Sequence, residues 1–268
     1  MKYFLLLVLC VALQACSKHE VYTAKANKQF SQSDKAAEAV AISHDGSLSI
    51  VAVPTEVCIW NNLNDKLQLP CLTGEAAKFI ELVGISENKA YFFTSNQVVV
   101  RLYKVANGKQ VGEWQLADNI INDIAISEDG STILLGFRNG LAAVVNVKTN
   151  QVTSHQKHRL DINSVGLSAD GQLALTGSAD KSAHLWDTKT GETIHSFSHK
   201  SRVNHVTISD DGRLGLTLDA IEAHTIWNLT TGDEISTLDT HLRFFEFNHA
   251  RFSKDNRLLL AGLPKRKL

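Results

Sequence analysis

The chain of 268 residues has no marked excess of charge of either sign. Lys and Arg number 27 against 28 Asp and Glu, so the formal net charge is −1. A protein that follows nucleic-acid phosphates is normally basic, and this sequence therefore gives no support to a nucleic-acid partner. It also has only 3 prolines and no long low-complexity linker, which favours one domain over several.

The sequence also lacks the short motifs that mark catalysis or metal binding. It has no paired-cysteine or His-Glu-x-x-His spacing, no glycine-rich phosphate loop and no nucleophile elbow. Carboxylates such as Asp210 and Asp211 fall in hairpin turns, where aspartate favours the turn itself. His158 and His199 are separated by one step of the repeat described next, which suits equivalent structural positions. We therefore predict no catalytic residue, no cofactor and no metal.

The clearest positive feature is a hairpin signal that recurs along the chain. Six short segments combine a serine with Asp-Gly or a similar turn pair, and the steps from one serine to the next are 43, 41, 41, 41 and 44. Asp-Gly supplies the positive-φ residue that a short hairpin needs. The six segments begin at Ser43, Ser86, Ser127, Ser168, Ser209 and Ser253.

A second signal follows each of the first five serines at a nearly constant offset, where a pair of residues closes a strand. A further turn and strand then complete four strands per unit. Strands this short cannot bury both faces of one sheet, so the units must stack face to face. The closing pairs are Trp60-Asn61, Tyr103-Lys104, Val145-Asn146, Trp186-Asp187 and Trp227-Asn228.

Residues 177–191 and their echo at 218–232 resemble the WD40 repeat, whose period is in the low forties. The resemblance covers nearly all of the sequence from Cys16 onwards and implies an all-β, WD40-type β-propeller. It also implies a structural network of hydrogen bonds in each blade. The fifth unit departs from this pattern, because Ile221 occupies the position where the network has an aspartate. The implied network residues are His158, Thr176, Asp180 and Trp186 in the fourth unit and His199, Thr217 and Trp227 in the fifth.

The sixth unit is incomplete, because the sequence ends before its strand-closing aromatic residue. In proteins that resemble WD40 propellers, an amino-terminal strand closes the last blade, and residues 21–30 are the candidate here. We therefore expect residues 31–268 to form five complete blades plus a partial sixth, as a shortened relative or fragment of a longer propeller. A six-bladed ring that closes poorly is the alternative.

The amino terminus has the pattern of an export signal. Lys2 is followed by an apolar run over residues 3–13, which is too short to span a bilayer. Residues 13–16 resemble the lipobox of bacterial lipoproteins, which implies a signal peptide at 1–15, lipidation of Cys16 and a tether at 16–30. Ser17 is compatible with sorting to the outer membrane. Plain secretion or an uncleaved anchor is the alternative.

Cys58 and Cys71 would then lie in a compartment that permits disulfides. We expect them on neighbouring antiparallel strands, where a bridge is sterically conceivable. Pro70, however, makes the pairing register of the two strands uncertain, and the side chains of Cys58 and Cys71 can then face opposite sides of the sheet. Two buried free thiols are therefore expected.

These patterns predict a membrane-tethered periplasmic scaffold that presents a propeller face to unidentified proteins or peptides of the bacterial envelope. The loops before each first strand should crowd one rim, where Phe244, Phe245 and Phe247 are candidate binding anchors. The alternative for these three rings is packing between the fifth and sixth units. Two other functions stay open: a propeller enzyme of the quinone-dependent dehydrogenase type, and an outer-membrane assembly factor.

The lipid anchor can be tested with one substitution. Cys16→Ser removes the thiol that would carry the lipid, so the protein should move from the membrane fraction to the soluble fraction. Several acyl chains on one residue hold a protein stably at a membrane, and their loss leaves no anchor. Fractionation followed by immunoblotting measures the change, and a variant that stays with the membranes would show that the lipobox interpretation is wrong.

Overall fold

The computed structural model describes residues 35–116, 119–221, 224–238, 249–257 and 259–262, all within one compact unit that runs from Gln32 to Leu268. Four sequence predictions lie outside the described residues: the signal peptide, Cys16, the candidate closing strand at 21–30, and the three rings Phe244, Phe245 and Phe247. No described helix is both long and apolar enough to cross a membrane.

The described secondary structure is almost entirely β, as predicted. The first sheet contains β1 (Ala39–Ile42), β2 (Leu48–Val53), β3 (Glu56–Asn61), β4 (Lys66–Leu67) and β5 (Leu72–Thr73), followed by a 3₁₀ helix (Gly74–Ala77). The second contains β6 (Leu82–Ile85), β7 (Tyr91–Ser95), β8 (Val99–Lys104) and β9 (Gln110–Gln115). The third contains β10 (Ile121–Ile126), β11 (Thr132–Phe137), β12 (Leu141–Asn146) and β13 (Gln151–Gln156).

The remaining strands continue the same pattern. The fourth sheet contains β14 (Ile162–Leu167), β15 (Leu173–Ser178), β16 (Ser182–Asp187) and β17 (Thr193–Ser198). The fifth contains β18 (Val203–Ile208), β19 (Leu214–Asp219), β20 (His224–Asn228) and β21 (Glu234–Leu238), and the last described hairpin pairs β22 (His249–Phe252) with β23 (Leu259–Gly262). Strands within each sheet pair antiparallel and follow chain order, except that β4 and β5 both pair with β3.

The recurring serine explains why the first and second strands of each sheet are joined so tightly. Ser168 Oγ donates to Asp170 Oδ1 at 2.7 Å, and the backbone N of Leu173 donates to Ser168 Oγ at 3.0 Å. Gly171 takes the positive φ that the turn requires. A small buried hydroxyl thus satisfies a strand N–H and fixes the turn carboxylate. The same pair of bonds occurs at Ser43, Ser86, Ser127 and Ser209.

The hydrophobic core is divided into clusters that each lie between two successive sheets. Ile59 of the first sheet packs in one cluster with Phe92 of the second, and Leu216 of the fifth packs with Phe252 of the sixth hairpin. The second and third, third and fourth, and fourth and fifth sheets share clusters in the same way. No described sheet therefore has an independent core, as expected from the shortness of the strands.

The three tryptophans that close third strands hold corresponding places in their sheets. Trp60, Trp186 and Trp227 each lie opposite the second residue of the preceding strand, which is Ser49, Ala174 and Gly215 respectively. Their burial differs. Trp186 is fully buried, whereas Trp60 and Trp227 are half-buried.

Cys58 and Cys71 form a disulfide, so the expectation of free thiols is wrong. The physical reason is a change of register. Strand β4 pairs Trp60 with Leu67, whereas β5 pairs Val57 with Leu72, which leaves two extra residues between them. Because the shift is even, side-chain facing is preserved, and Cys71 comes opposite Cys58 with their Cα atoms 4.4 Å apart.

The disulfide should stabilise the fold by constraining the unfolded chain. The double variant Cys58→Ser/Cys71→Ser should lower the free energy of unfolding by about 3 kcal/mol, the value for a closed loop of about 15 residues. Urea denaturation measures the change. Dithiothreitol serves as the control, because it should destabilise the wild type by a similar amount and leave the double variant unchanged. Equal stability of the oxidised and reduced wild type would contradict this prediction.

Candidate functional site

Two kinds of loop meet at one edge of the stacked sheets. The first kind precedes a first strand, and the second kind joins a second strand to a third. In the third, fourth and fifth sheets, a backbone hydrogen bond connects the two kinds of loop at equivalent positions. These bonds join Arg138 N to Ile120 O at 3.0 Å, Ala179 N to Asp161 O at 2.9 Å and Ala220 N to Arg202 O at 3.0 Å. We call this edge the loop rim; its described residues are 54–55, 74–81, 96–98, 116, 119–120, 138–140, 157–161, 179–181, 199–202 and 220–221.

The loop rim exposes large apolar side chains from several successive sheets. Phe79 is 68% exposed, Ile221 66% and Leu160 53%, and Ile120 and Val98 are also well exposed. Single exposed apolar residues are common on protein surfaces, but recurrence on one edge is a feature of binding surfaces. The loops that precede the first strands lie at the same edge of the sheets, which is consistent with the sequence prediction that they form one rim.

Exposed cations accompany these apolar residues over the third to fifth sheets. Arg138, Arg159, Lys181, Lys200 and Arg202 are all exposed there. Asp180 is half-buried and its carboxylate accepts the backbone N of Arg159 at 3.0 Å, so it is engaged within the rim. This sector therefore offers apolar contact surface next to positive charge.

The fourth unit contains three of its four predicted network residues in direct contact. His158 Nε2 lies 2.9 Å from Thr176 Oγ1, and His158 Nδ1 lies 3.2 Å from Asp180 Oδ2. Burial, together with the stacked ring of His184, lowers the pKa of His158 to about 4, so its imidazole is neutral at pH 7. The network holds residues 157–161 against residues 179–181 and thereby fixes this part of the loop rim.

The fourth predicted member of that network, Trp186, makes different contacts. Its Nε1 has no hydrogen-bond partner among the residues the structure describes. Its ring instead carries the Lys157 ammonium 4.5 Å from the ring centroid and meets the His155 ring edge-on at 5.5 Å. Burial lowers the pKa of Lys157. Trp186 therefore contributes packing and a cation–π contact between the third and fourth sheets.

The fifth unit arranges the equivalent residues differently. Trp227 Nε1 donates to Thr217 Oγ1 at 2.8 Å, and the His199 ring meets the Trp227 ring edge-on at 6.1 Å. Burial lowers the pKa of His199, and the negative charge of Asp219 partly offsets that fall. The sequence pattern gave no aspartate here because Ile221 occupies the expected position. Asp219, at the end of β19 and only 6% exposed, is the carboxylate whose charge acts on His199, and its Oδ1 accepts the backbone N–H of Ile221 at 3.0 Å.

The sequence interpretation also missed a packing position on the outer strands. Trp114 Nε1 donates to Asn150 Oδ1 at 2.7 Å, which joins the second sheet to a turn of the third. The His155 and His195 rings also lie against turns of the following sheets, and a Cβ added at Gly191 or Gly232 would clash with them. By strand register His155 is equivalent to Trp114, whereas His195 lies opposite Leu185 and Phe197 holds the equivalent place. The recurrence of a ring about once per repeat, from Trp114 to His155 and on to Phe197, is the signal that could have identified this position.

The stacked four-stranded antiparallel sheets are consistent with a WD40-like propeller fold. The comparison with known families agrees: residues 149–187 match the family model described as "WD domain, G-beta repeat". The matched segment runs from β13 through β16 and includes the complete His158, Thr176 and Asp180 network. The chain thus contains a WD40 repeat. No curated protein matches the chain.

The His158 and Asp180 contact can be tested by removing the carboxylate. Asp180→Ala should lower the free energy of unfolding by about 1–3 kcal/mol, because the Arg159 N–H and the His158 imidazole lose a partner. Asp233→Ala, at an exposed turn position, is the matched control and should change stability little. A thermal midpoint for Asp180→Ala equal to that of the control would show that the network does not stabilise this unit.

The pH dependence of stability gives a second test. Because the pKa of His158 is about 4 in the folded state and 6.5 by default, the unfolded chain binds a proton that the folded chain excludes between these values. The free energy of unfolding should therefore fall as the pH is lowered from 6.5 towards 4. His158→Gln, compared by chemical denaturation at each pH, should show a shallower dependence than the wild type. Identical slopes would contradict the assignment.

Proposed function

We propose that this protein is a membrane-tethered scaffold of the bacterial envelope that binds a partner protein or peptide on its loop rim and performs no catalysis. The observation that carries the proposal is the recurrence of exposed apolar side chains in the loops of one edge of successive sheets. A WD40 repeat within the chain supports it, because the repeat suggests a propeller-type interaction scaffold.

The loop rim is suited to binding because its backbone is already held in place. Each described inter-loop bond ties a loop before a first strand to a neighbouring turn, and His158 reinforces one of these junctions. A surface that is ordered before binding avoids part of the entropy cost of association. Leu160 and Ile221 can therefore act as anchors without a large rearrangement of the loops.

The charge of the rim indicates the chemistry of the partner. Arg159, Lys181 and Arg202 are exposed near the apolar anchors. Complementary charges steer encounters and select partners, so the favoured partner presents apolar side chains flanked by carboxylates. Phe244, Phe245 and Phe247 belong to the segment before β22, and the proposal includes them as further anchors.

The proposed envelope location has support from the lipobox-like sequence and from the disulfide. Disulfides persist in oxidising compartments such as the periplasm and are rare in the reducing cytosol. The Cys58–Cys71 bridge agrees with export of the chain. The proposed location of the protein is the outer membrane, with the propeller facing the periplasm.

Site-specific photocrosslinking in intact cells tests the binding surface. A photoreactive phenylalanine analogue placed at Leu160 or Ile221 should capture a reproducible protein partner, identified by mass spectrometry. The same analogue at Leu63, which is 78% exposed in the turn between β3 and β4 at the opposite edge, is the matched control. Leu160→Asp should reduce recovery of that partner at least about tenfold, and Leu63→Asp should not. Equal capture from Leu63, or no partner from the rim, would contradict the proposal.

A further inference from the structure

The first strands of the six described sheets line a central cavity of about 680 Å³. At the cavity end opposite the loop rim, the serine-containing hairpin turns crowd together. Backbone bonds join Asn88 N to Glu128 O at 3.2 Å, Glu128 N to Ala169 O at 2.9 Å and Ala169 N to Asp210 O at 3.0 Å. The turns of distant sheets are therefore brought within side-chain reach of one another.

Three potential metal ligands converge at this end. His44 Nδ1 lies 3.4 Å from Glu87 Oε1, and the ligand atoms of His44, Glu87 and Asp210 all lie within 4.8 Å of one another. The three residues follow first strands of the first, second and fifth sheets. They belong to three different repeats of the sequence, so no short motif reveals them.

The trio is largely buried, and its ligand atoms have no hydrogen-bond partner outside the trio among the described residues. The Glu87 side chain is only 10% exposed. His44 Nδ1, Glu87 Oε1 and Asp210 Oδ2 are each buried, and none of them makes a hydrogen bond to any described residue outside the trio. Two buried carboxylates side by side are costly unless a cation or a proton compensates them.

We propose that His44, Glu87 and Asp210 bind one divalent transition-metal ion, with Zn²⁺ as the favoured ion. One imidazole nitrogen and two carboxylate oxygens form a ligand set that zinc accepts, whereas Ca²⁺ takes six to eight oxygens. Two ligands about 2.1 Å from an ion and 3.4 Å from each other subtend about 108°, close to a tetrahedral angle. The fourth position would face the cavity.

Charged or titratable groups from three other sheets act on Glu87. Burial raises the pKa of Glu87, and the neighbouring Asp210 carboxylate raises it further. Arg251 and His44 act in the opposite direction without cancelling these effects. A bound divalent ion would allow both carboxylates to stay ionised. It would also connect three sheets that are far apart in the sequence and stabilise the folded state by mass action.

Metal binding is tested on the full chain in detergent, first stripped with a chelator. Isothermal titration with Zn²⁺ should give one high-affinity site, and Co²⁺ should give the visible absorption of a tetrahedral complex. Glu87→Gln should weaken Zn²⁺ binding at least about tenfold and abolish the cobalt spectrum. Glu128→Gln is the matched control, because Glu128 holds the equivalent turn position in the third hairpin but lies outside the trio.

Thermal unfolding separates a binding defect from a folding defect. The thermal midpoint of the wild type should rise with Zn²⁺ and fall with chelator. The midpoint of Glu87→Gln should be the same with Zn²⁺ as with chelator. Binding that is unchanged in Glu87→Gln would place the metal on other histidines and overturn the proposal. Absence of stoichiometric Zn²⁺ or Co²⁺ binding in the wild type would also overturn it, and would leave proton sharing between Glu87 and Asp210 as the explanation of the buried carboxylates.

Discussion

Burial of apolar side chains between successive sheets is the interaction on which the rest of this structure depends. Each strand has at most six residues, and every described core cluster draws its side chains from two neighbouring sheets. Trp186 is fully buried at one such boundary. Burial of about 200 Å² of tryptophan surface contributes roughly 5 kcal/mol as an upper bound. This stacking fixes the positions of the loops and turns at both ends of the sheets.

Stacking produces two contrasting ends. At the loop rim, loops that differ in sequence from repeat to repeat are tied down by a few backbone bonds, and apolar and cationic side chains are exposed to solvent. At the hairpin end, the serine-based turns are nearly invariant in geometry and press against each other. Loops held by a rigid scaffold commonly carry binding functions. The crowded end instead brings together polar residues from sheets that are remote in sequence.

Features that depend on local sequence could be predicted well. In four of the six hairpins a serine, an aspartate and a glycine lie within four residues, so the hairpins could be located from the sequence, and the strand-closing pairs then indicated four strands per unit. Features that depend on long-range register could not. The disulfide needed a two-residue register change between β4 and β5, and the buried carboxylate of Asp219 lies two positions before the place where the pattern expected an aspartate. His44, Glu87 and Asp210 meet only after the sheets have curved around a common cavity.

A double-mutant cycle across one sheet boundary tests the central claim most directly. Phe197 of the fourth sheet packs on Trp227 of the fifth, with ring centroids 4.3 Å apart. Free energies of unfolding for Phe197→Ala, Trp227→Ala and the double variant should reveal a favourable coupling of about 0.5–1.5 kcal/mol beyond additivity. Strictly additive effects would mean that the two sheets are not stabilised by each other, and would contradict the account.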